Sequence, residues 1–374
     1  MNNKGQNTAV LAPGKGWGNF VSYISCFKKI SDTRQKKIIL ITKKFSSAEA
    51  YLEDQNFISK FINIQSNSRG AVRQIKLIFE LVSKLRSASI SEIFIFHSSA
   101  LMVILCYLSG IKKVYAPGIG IQNLFLRKEY KFYESYKSNL INQIDESMEL
   151  TNKILKIDNC SFTTLHYCER VDPLKIMVCM ASSGPSRQWG IENFIKLINY
   201  LKTKGFKKFV LLSGMDQIDK EKQIMKKTGD DIELILTAEK TIKEVIPHIK
   251  TSCIYIGHDT GFSHLALAYG KKSFILFGDC EPSIYTDLIV PIDKDEDVPR
   301  SDESIRSISF EKVNNIKIPY KFCPKRKGDN AYVVADNFLA LSCLDWSPSR
   351  NLEDMCRDGW NWQLKNPNGY GNNV

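Results

Sequence analysis

The sequence predicts an α/β protein with two parallel sheets, and three observations carry that expectation. Short β-branched runs alternate with amphipathic stretches, which is the pattern of strands joined by crossover helices. The alternation pauses across one long helical pattern near residue 150 and then restarts. Loops rich in glycine or hydroxyl residues follow the strands, where open α/β sheets place their ligands. The expected organisation is a first lobe over 1–150, a second over 151–300, and an irregular or helical extension over 301–374.

The elements run in order. Thr8 to Leu11 is a short strand ending in Pro13-Gly14-Lys15-Gly16-Trp17-Gly18-Asn19, and Val21 to Ile30 reads as a helix. Lys37 to Ile41 is a second strand, followed by a polar helix over 46–54. Gln74 to Leu85 carries Ile75, Leu77, Ile78, Leu81, Val82 and Leu85 on one stripe, the spacing of an amphipathic helix. Ile93 to Phe96 is a third strand and 98–108 its helix. Asn139 to Ile157 is the long pattern that links the halves. In the second half, strands are expected at 175–180, 209–212, 253–256 and 273–277, with helices at 191–201, 241–249 and 262–269. The stretch 290–330, containing PIDKDEDVPRSDES, reads as an irregular, charged connection.

Composition narrows the class. With 43% hydrophobic and 25% charged residues over 374 positions, there is core enough for two globular domains. The opening residues are polar, and the longest apolar run, Ala100 to Leu108, stops at Ser109-Gly110, too short for a bilayer. The expectation is a cytoplasmic protein. The ten cysteines include no Cys-x-x-Cys pair, and several sit in apolar runs, so reduced core thiols are expected and no metal site. Residues 1–150 hold 21 Lys+Arg against 11 Asp+Glu, and 151–374 hold 31 against 29, so +10 of the net +12 lies in the first half. Such a half suits an anionic membrane face or a phosphorylated acceptor. No nucleic-acid-binding signature accompanies it.

Three loops bear chemistry. Gly14-x-Gly16-x-Gly18 lets backbone approach a ligand before a helix start; it equally serves a tight turn. Ala181-Ser182-Ser183-Gly184-Pro185-Ser186-Arg187 brings two hydroxyls and a guanidinium just ahead of a helix, an anion cradle. Trp189 reads as the hydrophobic anchor of that helix. Asp259-Thr260-Gly261 opens another helix, with Asp259 or Thr260 as its N-cap and His264 in its first turn. Two anion-capable helix starts in one domain point to a diphosphate held between them.

The second half resembles glycosyltransferase family 9, the bacterial heptosyltransferases of the lipopolysaccharide core. The likeness rests on Asp259-Thr260-Gly261-x-x-His264-Leu265-Ala266-x-Ala268-x-Gly270, then Leu276-Phe277-Gly278 and Pro282, with Ser182-Ser183…Arg187-x-Trp189 and Gly214 upstream. It covers roughly residues 7 to 290, weakly in the first half. It implies a GT-B architecture, in which two Rossmann-like domains face a central cleft, and inverting transfer without a metal. The co-substrate is a nucleotide sugar, ADP-heptose or a UDP-sugar, with no bound cofactor, and the partner is a lipopolysaccharide or lipooligosaccharide core acceptor; contact with the cytoplasmic face of the inner membrane fits the basic half. Ser182, Ser183 and Arg187 would hold the diphosphate with Asp259, Thr260, Gly261 and His264; backbone near Ala238 would meet the base, and Asp219 or Asp216 the ribose.

One position departs from the family. Its first loop reads Gly-Asp, the Asp resembling the base that deprotonates the acceptor; here the pair is Gly18-Asn19, and an amide accepts no proton. His97 is the substitute candidate by type. Residues 343–370 resemble the C-terminal end of UDP-glucose 4-epimerase, with Leu352, Met355, Trp360 and Trp362 forming an apolar helical patch, but without that family's Gly-rich NAD loop or Tyr-x-x-x-Lys pair. Two other readings stand beside the transferase: a GT-B UDP-sugar epimerase, and a degenerate protein that binds nucleotide sugar without turnover.

Overall fold

A computed structural model describes residues 7–11, 17–43, 47–64, 71–97, 99–131, 143–157, 162–182, 184, 187–301, 303–314 and 350–365. The chain forms two compact units, Met1–Lys317 and Ile318–Val374.

In the first unit, β1 (Asn7–Leu11) is followed by α1 (Trp17–Ser22) and α2 (Ile24–Arg34), then β2 (Ile38–Lys43), α3 (Ala48–Leu52), β3 (Ile58–Ile64), α4 (Ala71–Ser87), β4 (Ile90–Ile95), α5 (Ala100–Leu108) and β5 (Lys113–Tyr115). These strands form one sheet in the order β3-β2-β1-β4-β5, every pair parallel. After α6 (Gln143–Leu155) come β6 (Asp172–Cys179), α7 (Ile191–Thr203), β7 (Lys208–Leu212), α8 (Ile218–Thr228), β8 (Glu233–Leu236), α9 (Ile242–Thr251), β9 (Ser252–His258), α10 (Gly261–Ala268), β10 (Lys272–Phe277), β11 (Ile289–Asp293) and α11 (Phe310–Asn314). The second sheet runs β11-β10-β9-β6-β7-β8, again parallel throughout.

Both orders reverse once. The first sheet winds outward from β1 to β3 and resumes at β4 on the other side of β1; the second winds from β6 to β8 and resumes at β9. At such a reversal the two following crossovers lie on opposite faces and leave a crevice at the carboxyl ends of the strands. The loops that begin at Ala181 and Asp259 follow β6 and β9, and His97 follows β4, so these three leave strands at the reversals.

The lobes share a core. α1 packs on α10, and Phe20, Phe27, Tyr51, Leu165, Ala266 and Tyr269 belong to one apolar cluster. Polar bonds reinforce it: Tyr269 donates to the Tyr51 carbonyl at 3.2 Å, and the Gln55 amide exchanges two hydrogen bonds with the His166 backbone. Lys250 Nζ reaches Asp54 at 3.4 Å and Glu169 at 2.9 Å.

The structure adds four strands to those expected, β3, β5, β8 and β11. It also corrects the reading of 290–330 as an irregular connection, over its described residues up to 314. β11 pairs with β10, and Ile305, Ile308 and Val313 are buried. Arg300 bonds Asp293 at 2.7 Å and Glu281 at 2.7 Å, so the charges fasten the segment rather than solvate it. Gly278 explains its own presence: a Cβ there would stand 2.5 Å from the Ile305 nitrogen. In the second unit, the helix Leu352–Lys365 is capped reciprocally by Asn351 and Asp354, and Met355 and Trp360 are exposed. The other tail residues of 343–370, apart from 350–365, lie outside the described residues.

Candidate functional site

β6 and β9 are neighbours, with Cys179 in register with Gly257. A side chain on Gly257 would overlap the Cys179 backbone, so glycine lets the strands close at this point. The two anion-capable loops therefore leave adjacent strand ends. The Cys179 thiol and Thr260 Oγ1, 3.6 Å apart, span the join, and burial pushes that thiol up to about 11.

His258, the last residue of β9, ties the loops together. Its Nε2 accepts the Trp189 N–H at 3.0 Å, which leaves Nδ1 to carry the proton and donate to the Ala181 carbonyl at 3.0 Å. The ring is almost wholly buried, and that burial pushes its pKa down to about 4. A neutral histidine thus braces both ends of the 181–189 loop. Trp189 is the anchor the sequence predicts: buried, edge-on to Phe194 at 5.1 Å, with its indole N–H on the Ile308 carbonyl at 2.7 Å.

Within that loop, Ser182 Oγ donates to the Gly184 carbonyl at 2.8 Å. Arg187 Nη1 lies 3.3 Å from Asp279, which follows β10. Ser183 lies outside the described residues. Thr260, not Asp259, is the N-cap of α10: its Oγ1 accepts from Phe262 N at 3.3 Å, while Ser263 Oγ takes the Thr260 N–H at 3.2 Å. Among the described residues the Gly261 N–H has no protein partner, so the helix start offers a donor. Asp259 Oδ1 accepts from Ser263 at 3.2 Å and lies 3.7 Å from His264 Nε2. His264 Nδ1 meets the Tyr285 hydroxyl at 2.7 Å, the rings stacked at 6.0 Å.

The expected base-binding backbone at 237–238 is already engaged. The Thr237 and Ala238 N–H groups donate to Glu221 Oε1 at 2.8 and 3.0 Å, and Ser213 Oγ donates to the same oxygen. The Thr237 carbonyl accepts the Lys240 N–H at 3.0 Å, so the Ala238 carbonyl is the group there that can meet a ligand. Asp216, in the 3-10 turn before α8, and Asp219, in the first turn of α8, are exposed. Gln217 between them is buried; its Nε2 donates to the Met180 carbonyl at 3.0 Å and its Oε1 has no partner among the described residues.

In the first lobe, the 12–16 loop with Gly16 lies outside the described residues. Gly18 and Asn19 fall in α1, with the Asn19 side chain also outside them. His97 Nδ1 accepts the Ser99 N–H at 3.1 Å, and the His97 carbonyl accepts from Gln122 at 2.9 Å. With Nδ1 accepting, the neutral tautomer this bond selects carries its proton on Nε2. Sequence reasoning missed His258, Glu221, Gln217, Tyr285 and Asp279. The register of adjacent strand ends was the one signal available for His258.

Residues 137–317 match the sequence model of glycosyltransferase family 9 (heptosyltransferase). The match covers just under half of the chain. Solved structures agree over more of the molecule. A family 9 glycosyl transferase from Veillonella parvula superposes with a TM-score of 0.64 at 13% identity, covering 83% of this chain and 96% of that one. The E. coli ADP-heptose lps heptosyltransferase II gives 0.66 at 14%, covering 82% and 96%. E. coli heptosyltransferase WaaC, solved with ADP, gives 0.58 at 11%, covering 83% and 96%. At these identities the likeness is one of fold, and the fold is GT-B. The family 9 stretch contains the 181–189 loop, the 259–261 turn and the Asp279 loop, so the site described above falls within it.

Curated relatives match a different part of the picture. UDP-glucose 4-epimerase of Pasteurella multocida is 53% identical over 62 residues, 17% of this chain and 18% of that protein. A rice UDP-glucose 4-epimerase is 49% identical over 66 residues, 18% of each. The chain spans under a fifth of the length of these relatives; the likeness to UDP-glucose 4-epimerase is borne out, over a stretch more than twice as long as the tail read at 343–370.

Proposed function

We propose that the chain is an inverting glycosyltransferase that moves a sugar, heptose in the first instance, from a nucleoside diphosphate to a lipopolysaccharide or lipooligosaccharide core acceptor. One observation carries the reading: the Ser182–Arg187 loop and the Thr260–Gly261 helix start leave paired strands at a sheet reversal, and His258 braces one of them from the strand that supplies the other. A diphosphate lying there would receive the Gly261 N–H, the α10 dipole and the Arg187 guanidinium together. Negative charge that develops on the departing diphosphate would be met by the same groups, supplying the electrostatic term without a metal. Arg187 exchanges its Asp279 partner for the ligand.

Asp216 and Asp219, both exposed around the start of α8, are the candidates for a ribose hydroxyl, since the buried Gln217 oxygen between them is out of a ligand's reach. The Ala238 carbonyl is left to read the base. The acceptor enters over the first sheet, near Asn19 and His97.

Asn19 favours a second reading, a protein that binds nucleotide sugar without transferring it. Melting shifts against ADP, UDP, GDP and CMP, followed by product analysis with ADP-heptose, separate the two. A shift with one nucleotide and a transferred sugar support the transferase; a shift without product supports the binder; no shift with any nucleotide overturns both.

A further inference from the structure

We infer that the 119–131 segment of the first lobe is a membrane-docking tip that seats on an anionic bilayer surface. The inference stands apart from the proposed catalytic activity. A 3-10 turn, Gly120–Leu124, runs off the carboxyl edge of the first sheet beside α5. Two residues hold it there. Gln122 is fully buried; its Nε2 donates to the His97 carbonyl at 2.9 Å and its Oε1 accepts the Gly118 N–H at 2.9 Å. Leu126 is buried in the core of the first sheet.

The remaining apolar residues of the turn take no part in that anchoring. Ile121 is 71% exposed, Leu124 80% and Phe125 42%. Leu101, at the start of the adjoining α5, is 52% exposed. Folding needs none of these side chains to be large and apolar, and grouped exposed apolar residues on a soluble surface mark a contact. Charge selects the partner. Arg127 and Lys128 follow at once, exposed, and Lys131 lays its stem along Gly118; Glu129 is the one acid among them. An apolar tip flanked by three cations and one acid, on the half of the chain that holds +10 of the net charge, matches the interface of an anionic bilayer. A protein partner would need a broader, flatter face than one turn supplies.

The test uses the full chain in sedimentation with unilamellar vesicles. Wild type is expected to pellet with phosphatidylethanolamine vesicles holding roughly one-third phosphatidylglycerol, and not with pure phosphatidylcholine. Binding should weaken on raising salt from about 0.1 M to about 0.5 M. The pair Leu124→Ser/Phe125→Ser and the pair Arg127→Glu/Lys128→Glu should each lower it about tenfold, with melting temperature unchanged. Failure of wild type to bind the anionic vesicles overturns the inference, as does binding that either pair leaves intact. A concentration-dependent dimer abolished by Leu124→Ser/Phe125→Ser, with vesicle binding unaltered, assigns the tip to a second copy and also overturns it. Nucleotide melting shifts read the proposed function separately, so failure of one leaves the other standing.

Discussion

The Trp189 N–H donates to His258 Nε2 at 3.0 Å, across the gap between the two strands that carry the candidate site. This bond fixes which nitrogen of the ring is bare, and so fixes the opposite bond to Ala181. It also makes the loop's shape depend on a neutral histidine. Burial holds the His258 pKa near 4, below the 6.5 of an unfolded histidine. The unfolded chain takes up a proton as pH falls through about 6.5, while the folded chain refuses it until about 4. The contribution of His258 is therefore complete above about pH 6.5. It declines as pH falls, by about 3 kcal/mol when pH 4 is reached. Urea unfolding of wild type and His258→Ala between pH 8 and 4 should show the gap between them shrinking by that order. Parallel curves would show that the ring is not protected.

Arg187 and Asp279 are both partly exposed, so their pair contributes little to folding, about 0–1 kcal/mol. Its value is in presenting a guanidinium. Removing a charged donor to a diphosphate costs about 1.5–3 kcal/mol, roughly tenfold to a hundredfold in Kd. Calorimetry should find that Arg187→Ala weakens nucleoside diphosphate binding by that factor. Asp279→Asn should tighten it a few-fold, because the cation loses its competitor. Equal affinities in all three proteins would remove Arg187 from the site.

What the sequence disclosed, and what it hid, follows from the physics of sheet edges. The central strands β1, β4, β6, β9 and β10 are buried on both faces and read as continuous apolar runs. The four strands left unread are all edge or next-to-edge members of short length or mixed polarity. β3 carries Ser59, Lys60 and Asn63, and β11 carries Pro291, which an edge tolerates because one side of it needs no ladder bonds. Likewise, the Asp-Thr-Gly turn was legible because helix capping is local. The Arg187–Asp279 pair and the Glu221 carboxylate beneath Thr237 and Ala238 are contacts between elements remote in sequence. No spacing rule reports them.

Gly278 gives a purely structural prediction. Its α-carbon lies against the Ile305 backbone, and the segment it touches is also held by the Trp189 indole through Ile308. Gly278→Ala must push that segment away, at a cost of about 1–3 kcal/mol from overpacking. Thermal denaturation should show a drop in Tm of several degrees, with the Trp189 fluorescence altered. An unchanged Tm would mean that residues 303–308 do not press on the site.

Asn19 is the sharpest chemical question in the molecule. The resemblance to glycosyltransferase family 9 sets an Asp at this position, and a positioned base contributes about a hundredfold to ten-thousandfold. An amide at this place leaves the acceptor hydroxyl to lose its proton unaided or to another group. His97 is poorly suited to replace it, since the Ser99 N–H occupies the nitrogen that would receive the proton. α1, which carries Asn19, packs on α10, which supplies the Thr260 cap, so residue 19 belongs to an element in contact with the donor lobe. Asn19→Asp should therefore raise kcat at least about tenfold and leave nucleotide affinity within about twofold. The rate should fall at acidic pH as the new carboxylate takes up a proton, a limb that wild type lacks. A rate that does not rise, with nucleotide affinity intact, would show that proton removal at residue 19 is not what limits this chain.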